Sequence, residues 1–191
     1  ALGGHATLFS VVGADGEAAF ARSRLEETGV SVNFYEDPTR PTTLKTRYRC
    51  QEKTLLRVSR LQQASINAEL SKQVIDDIQR QCNDANLVVF SDFNYGALPQ
   101  EVVEEVTEIF RGSATLCADS QSSSQFGDVS RFRYMDLLTP TEREARLSTK
   151  SLGDGLNVLG ESLRASSNAR HLILKLGQEG ALVCPSAVDS R

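Results

Sequence analysis

The stretch Asp136-Leu137-Leu138-Thr139-Pro140-Thr141-Glu142-Arg143-Glu144 decides how the rest of the chain is read. Asp136-Leu137-Leu138 has the character of a short buried strand. Thr139-Pro140 stops it, and Pro140 suits the first helical position because its missing N–H has no partner there. A strand that hands over to a helix at its carboxyl end is where open α/β sheets hold ligands. The helix start points unpaired N–H groups outward and favours a phosphate. Glu144, one turn in, is within reach of a magnesium ion carried by that phosphate. A second reading competes. Thr139 with Glu142, and Thr141 with Glu144, both match the S/T-x-x-E capping box, which stabilises a helix start and does no chemistry.

Outward from this corner the pattern is regular. Residues 87–91 form an apolar run typical of a strand buried in a parallel sheet, ending at Asp92 and Phe93-Asn94-Tyr95-Gly96. An acid at a strand end serves either a ligand or an Asx-turn. Pro99 opens a helix with Val102, Val103, Val106, Ile109 and Phe110 on one face. Residues 115–118 form the next strand, followed by Asp119 and a serine-rich loop. Leu152, Leu156, Leu159 and Leu163 mark a further helix. Residues 171–176 and 181–184 read as a hairpin around Gly177-Gln178-Glu179-Gly180. Strands alternating with helices imply a mainly parallel sheet with right-handed crossovers.

The first third differs. Residues 6–12 read as a strand, Gly13-Ala14-Asp15-Gly16 as a turn, and residues 17–28 as a helix, which together make half a βαβ unit. From 31 to 60, apolar and polar residues alternate with period 2, as in antiparallel strands. This segment reads as a small β-flap whose polar face carries Lys45, Arg47, Arg49, Arg57 and Arg60. Ser65 is expected to cap a helix with Ile66, Leu70, Val74, Ile78 and Cys82 at steps of four.

Composition narrows the function. The chain has 191 residues, is 40% hydrophobic and 24% charged, and carries a net charge of −4. That charge argues against a nucleic-acid-binding surface. No apolar run is long enough to span a bilayer, and no secretory signal pattern is present. Cys50, Cys82, Cys117 and Cys184 lack CxxC spacing and have only His5 and His171 for company, a poor zinc inventory. They are expected to be buried, reduced thiols of a cytosolic protein.

The ordered motifs resemble the ribokinase-like carbohydrate kinases of the phosphofructokinase B type. The phrases are Leu2-Gly3-Gly4, Val12-Gly13-Ala14-Asp15-Gly16, Arg40-Pro41-Thr42-Thr43, Leu55-Leu56-Arg57-Val58, Ser91-Asp92-Phe93-Asn94-Tyr95-Gly96, Ala118-Asp119-Ser120-Gln121 and Leu137-Leu138-Thr139-Pro140. Within that family they are most similar to the kinase domain that makes heptose bisphosphate on the way to ADP-heptose. The resemblance implies a three-layer α/β sandwich with a mainly parallel sheet and a β-lid insertion. Residues 1–30 would begin the α/β domain, 31–60 would form the lid, and 61–191 would supply the remainder.

The resemblance also implies roles. ATP with Mg2+ would donate a phosphoryl group to a sugar or sugar-phosphate hydroxyl, in the cytoplasm. Asp15, Arg57, Asp92 and Gln121 would bind the sugar. Thr141, Gly177 and Gly180 would bind the nucleotide, and Glu144 would hold the metal. The lid would cover the sugar and build a homodimer. The chain departs from the family at Thr141, where the motif has Asn, and at Gln121 and Tyr95, where the heptose group has Lys. The family's Gly-Ala-Gly-Asp motif, with its catalytic base, would fall beyond Arg191, so the chain is expected to be an internal segment of a longer kinase. The alternative is a catalytically inactive kinase-like module kept for binding or assembly.

Overall fold

The computed structural model describes residues 3–120 and 128–186. The chain divides into two units, one built from residues up to Val74 together with Tyr95–Ala97, the other from Ile75–Asn94 and from Leu98 onward.

The first unit opens with β1 (Thr7–Val12), α1 (Gly16–Glu26) and β2 (Ser31–Glu36). Asp15 starts α1 by accepting the Ala18 N–H at 3.1 Å, which satisfies one of the amides a helix start leaves orphaned. The α1 crossover lays β2 beside β1 in parallel, from Thr7 opposite Ser31 to Val12 opposite Glu36. Residues 31–36 are therefore not an antiparallel strand, as their alternation suggested. Period 2 reports one covered face and is blind to the direction of the neighbouring strand.

The antiparallel ribbon is β3 (Leu44–Cys50) with β4 (Lys53–Arg60) alone. Gln51 takes the left-handed conformation (φ 53°) in the tight turn between them. A bulge beside Tyr48 and Arg49 shifts the register. Arg60 pairs with Leu44, on the face that also carries the Thr46–Val58 and Tyr48–Leu56 pairs. It thus lies opposite the Lys45, Arg47 and Arg57 face to which alternation had assigned it.

Helix α2 (Ala68–Gln81) runs out of the first unit into the second. Its start is capped by Asn67, whose Oδ1 accepts the Leu70 N–H at 2.8 Å, and not by Ser65.

The second unit is a five-stranded sheet with the order β5 (Leu87–Asp92), β6 (Thr115–Ser120), β7 (Leu137–Leu138), β8 (His171–Lys175), β9 (Ala181–Cys184). The first four strands are parallel and β9 returns antiparallel. One sheet face carries Phe90, Leu116, Ala118, Leu138, Leu172 and Leu174, all buried. The other elements of this core are α3 (Gln100–Phe110), with Val102, Val103, Val106 and Phe110 buried, and α5 (Leu156–Ser167), with Leu159 and Leu163 buried. Phe132 joins this core, tilted against Phe90 at 5.9 Å. β5 was expected to be covered on both faces, yet Leu87 and Val89 are each 56% exposed. Its apolar run reflects strand propensity on that side rather than burial.

Candidate active site

The parallel strands of the second unit end along one edge, and Asp92, Thr141 and Glu144 stand at or just beyond strand ends there. β7 ends at Leu138 and α4 (Glu142–Thr149) begins after Thr139-Pro140-Thr141, so Pro140 precedes the cap residue Thr141 and does not take the first helical position expected of it. Thr141 caps α4 with its hydroxyl, which accepts the Glu144 N–H at 3.3 Å, while Glu144 Oε2 accepts the Thr141 N–H at 2.7 Å. The capping box is thus present at Thr141 and Glu144. The other match, Thr139 with Glu142, is not used: Glu142 pairs with Arg146 at 2.7 Å. Glu144 is only 4% exposed, so its carboxylate is fixed at the first turn of α4. No group of three metal-ligating side chains exists among the described residues. A single carboxylate suits magnesium that arrives with a nucleotide, because that ion takes most ligands from phosphates and water.

β8 lies alongside this corner. The Lys175 N–H donates to the Pro140 carbonyl at 2.8 Å, and Lys175 pairs with Thr141 in a parallel bridge. Gly177 (φ 65°) and Gly180 (φ 94°) then turn the chain into β9, both in conformations that favour glycine. A Cβ at either position would meet nothing within 4 Å, so it is backbone conformation that favours glycine there. The structure therefore brings Thr141, Glu144 and the Gly177–Gly180 turn together. Between them stands a residue the sequence reading missed. Lys175 Nζ lies 2.6 Å from Asp119 Oδ1, and the same oxygen accepts the Thr139 hydroxyl at 3.1 Å. A lysine interrupting the apolar run of β8 two residues before Gly177 was the available signal.

Asp92 ends β5 at this sheet edge and is 5% exposed. Its Oδ1 accepts the Asn94 N–H at 2.8 Å, as an Asx-turn requires, and its Oδ2 accepts Arg131 Nη2 at 2.9 Å. Arg131 also donates to the Leu98 carbonyl at 2.9 Å and lies over the Phe132 ring at 4.4 Å. Arg131 was not singled out from the sequence. Gln121 lies outside the described residues.

In the first unit, Asp15 does more than cap α1. Its Oδ2 accepts the Thr42 N–H at 2.9 Å, and the Gly13 N–H donates to the Thr42 hydroxyl at 2.9 Å. Hydrogen bonds from Thr42, side chain first and then backbone, hold the Asp15 carboxyl below its usual range. Gly13 is required for this approach: a Cβ there would sit 2.5 Å from the Arg40 carbonyl oxygen. Arg40 is itself buried, with Nε 2.8 Å from Asp37 Oδ2 and Nη2 donating to the Ala64 carbonyl at 2.9 Å. The Thr39 hydroxyl is the main cause of the lowered Asp37 carboxyl, and Arg40 adds to it. The Val12–Gly16 and Arg40–Thr42 phrases are thus two sides of one contact. Arg57 stands on β4 directly opposite Arg47.

Of the four cysteines, Cys184 is buried, Cys82 and Cys117 are partly covered, and Cys50 is exposed at the end of β3. The last departs from the expectation of burial, because neither face of the ribbon is fully covered. Burial pushes the Cys82, Cys117 and Cys184 thiols up.

The strand order, the antiparallel ribbon and the strand-to-helix corner can be set beside known proteins. Residues 1–189 match the pfkB family carbohydrate kinases, and the chain belongs to that family. Among curated proteins it is similar to Bifunctional protein HldE of a Nitratiruptor species, 26% identical over 189 residues, covering 96% of this chain and 38% of that protein. The HldE protein of Geotalea uraniireducens is 27% identical over 184 residues, covering 94% and 37%. Among solved structures, phosphofructokinase-2 from Escherichia coli in complex with fructose-6-phosphate superposes with a TM-score of 0.72 at 17% identity, covering 97% of this chain and 61% of that one. Ribokinase from Giardia lamblia gives 0.73 at 17%, covering 95% and 57%. The fold is ribokinase-like. The chain spans 37–38% of the length of these curated relatives. No helix among the described residues is long and apolar enough to cross a membrane.

Proposed function

We propose that this chain is part of a cytoplasmic, ATP-dependent kinase whose acceptor is a sugar that already carries a phosphate, heptose 7-phosphate being the acceptor its motifs resemble. The observation that carries the kinase reading is the family match over residues 1–189. The phosphorylated acceptor is supported by β3 and β4. Arg47 and Arg57 stand directly opposite each other with Lys45 on the same face, and neither arginine forms an ion pair among the described residues. Like charges directly opposite in a strand pair are destabilising, and a bound anion offsets that.

In this reading Arg57 contacts the sugar phosphate, and Gln121 is a proposed substrate-binding residue. Asp15 and Asp92 shape the sugar-binding segments, since backbone amides and Arg131 already engage their carboxylates. Thr141, Gly177 and Gly180 border the nucleotide. Glu144 would hold the Mg2+ that accompanies the nucleotide while it keeps the α4 start in order. Bound ATP with Mg2+ supplies the phosphoryl group and neutralises charge on it. The residues named here orient the two substrates, which is most of what phosphoryl transfer asks of a protein.

The test is ADP release by the full-length protein with Mg-ATP, comparing sugar phosphates with the unphosphorylated sugars. Turnover should need the phosphorylated acceptor, and Arg57→Ser should raise its KM about tenfold, the loss of one charge-assisted contact, with the KM for ATP unchanged. Equal use of unphosphorylated sugars would refute the proposed acceptor. ATP binding without turnover on any acceptor would favour the non-catalytic module that the changed residues Thr141, Gln121 and Tyr95 suggest.

A further inference from the structure

We infer that Lys175 is a phosphate-receiving residue held in waiting by Asp119: it is paired with that carboxylate in the free protein and transfers to a phosphate group of a bound substrate. The inference rests on the kinase reading above. Lys175, Asp119 and Thr139 close three adjacent parallel strands, so their side chains share the carboxyl edge of the sheet, where open α/β sheets hold ligands. The Lys175 N–H donates to the Pro140 carbonyl at 2.8 Å and its backbone bridges Thr141, which places the residue beside the chain entering α4 and two residues ahead of Gly177, while its ammonium lies 2.6 Å from Asp119 Oδ1.

The pairing itself is suited to exchange. The Lys175 and Asp119 side chains are 37% and 34% exposed, and ion pairs with this much access to water contribute little to stability. Lys175 has three N–H donors and, among the described residues, uses one of them on Asp119. The Thr139 hydroxyl donates to the same Asp119 oxygen, so the carboxylate keeps a partner after the lysine leaves. A phosphate group offers more charge and more acceptor oxygens than a carboxylate, and a lysine on a flexible stem is able to follow it. Asp119 is thus a competitor of the ligand for Lys175.

The phosphate belongs either to the nucleotide or to the acceptor, and equilibrium binding to the full-length protein separates the two. ATP, ADP, adenosine, a sugar phosphate and inorganic phosphate are titrated into the wild type, Lys175→Gln, Lys175→Arg and Asp119→Asn. A loss of about tenfold for ATP and ADP in Lys175→Gln, with adenosine unchanged, assigns the nucleotide; the same loss confined to the sugar phosphate assigns the acceptor. Lys175→Arg should retain most of the affinity. Asp119→Asn should tighten binding of the same ligand, a sign that a merely structural ion pair would not give. Unchanged affinities in Lys175→Gln, or equal weakening in Asp119→Asn, overturn the inference and leave the kinase reading standing. A folded wild type that binds no adenine nucleotide overturns both.

Discussion

Asp92 and Arg131 show how a residue singled out for its position finds its meaning in a partner. The acid was legible as one of two things, a ligand group or an Asx-turn, from its position at a strand end. Its arginine lies 39 residues away and carries no local signal. Together they bind the end of β5, the entry to α3 and the Val129–Arg131 turn. With both side chains largely buried, removing one partner strands the other's charge. Arg131→Gln should therefore cost about 2–4 kcal/mol in denaturant unfolding; a loss below about 0.5 kcal/mol, the ordinary surface value, would show that the pair is not anchoring the loop. Asp15 and Asp37 give a second prediction at this scale. Both carboxyls are held below their usual range by Thr42 and Thr39. A lowered folded-state pKa adds stability that is present above the unfolded value and lost as pH falls toward the folded one. The melting temperature should thus be flat above about pH 5 and fall below about pH 4, and Asp37→Asn should flatten that acid limb. An acid limb of unchanged steepness in the variant would contradict the assignment.

At the scale of elements, local chemistry was readable and long-range pairing was not. The α4 start could be read from Thr141 and Glu144 because a capping box spans only four residues. The parallel pairing of β2 with β1 could not, because it depends on where the α1 crossover delivers the chain. Likewise the need for glycine at position 13 arises from the Arg40 carbonyl, which no motif around residue 13 records. The β3–β4 ribbon keeps its large side chains exposed, with Leu44 at 41%, Tyr48 at 55%, Leu56 at 55% and Val58 at 47% on one face. A two-stranded ribbon is marginal by itself, and a contiguous apolar face of this kind marks an interaction surface. A second copy of the chain is the proposed cover, as the lid reading implies. Leu56→Asp should then lower the sedimenting mass of the full-length protein from dimer to monomer, and an unaltered mass would exclude this face from the assembly.

For the molecule as a whole, the sheet order, the ribbon and the corner at Thr139–Glu144 are what membership of the pfkB family carbohydrate kinases amounts to in this chain. The fold class was legible because alternating strand and helix patterns, turn glycines and ordered motifs all agreed. Of the proposed site, the cap formed by Thr141 and Glu144 and the glycine turn at Gly177 and Gly180 were legible as local structure, while the Lys175 and Arg131 pairs emerge from contacts between segments distant in sequence. The proposed reaction passes phosphate from ATP to a sugar, and phosphorus-31 NMR watches that transfer itself. The full-length protein is followed with Mg-ATP and a panel of sugar phosphates. One new sugar-phosphate ester resonance should grow in step with ADP, and Glu144→Gln should abolish or strongly slow it. Inorganic phosphate as the only product, or ATP left intact with every acceptor, would refute the kinase reading.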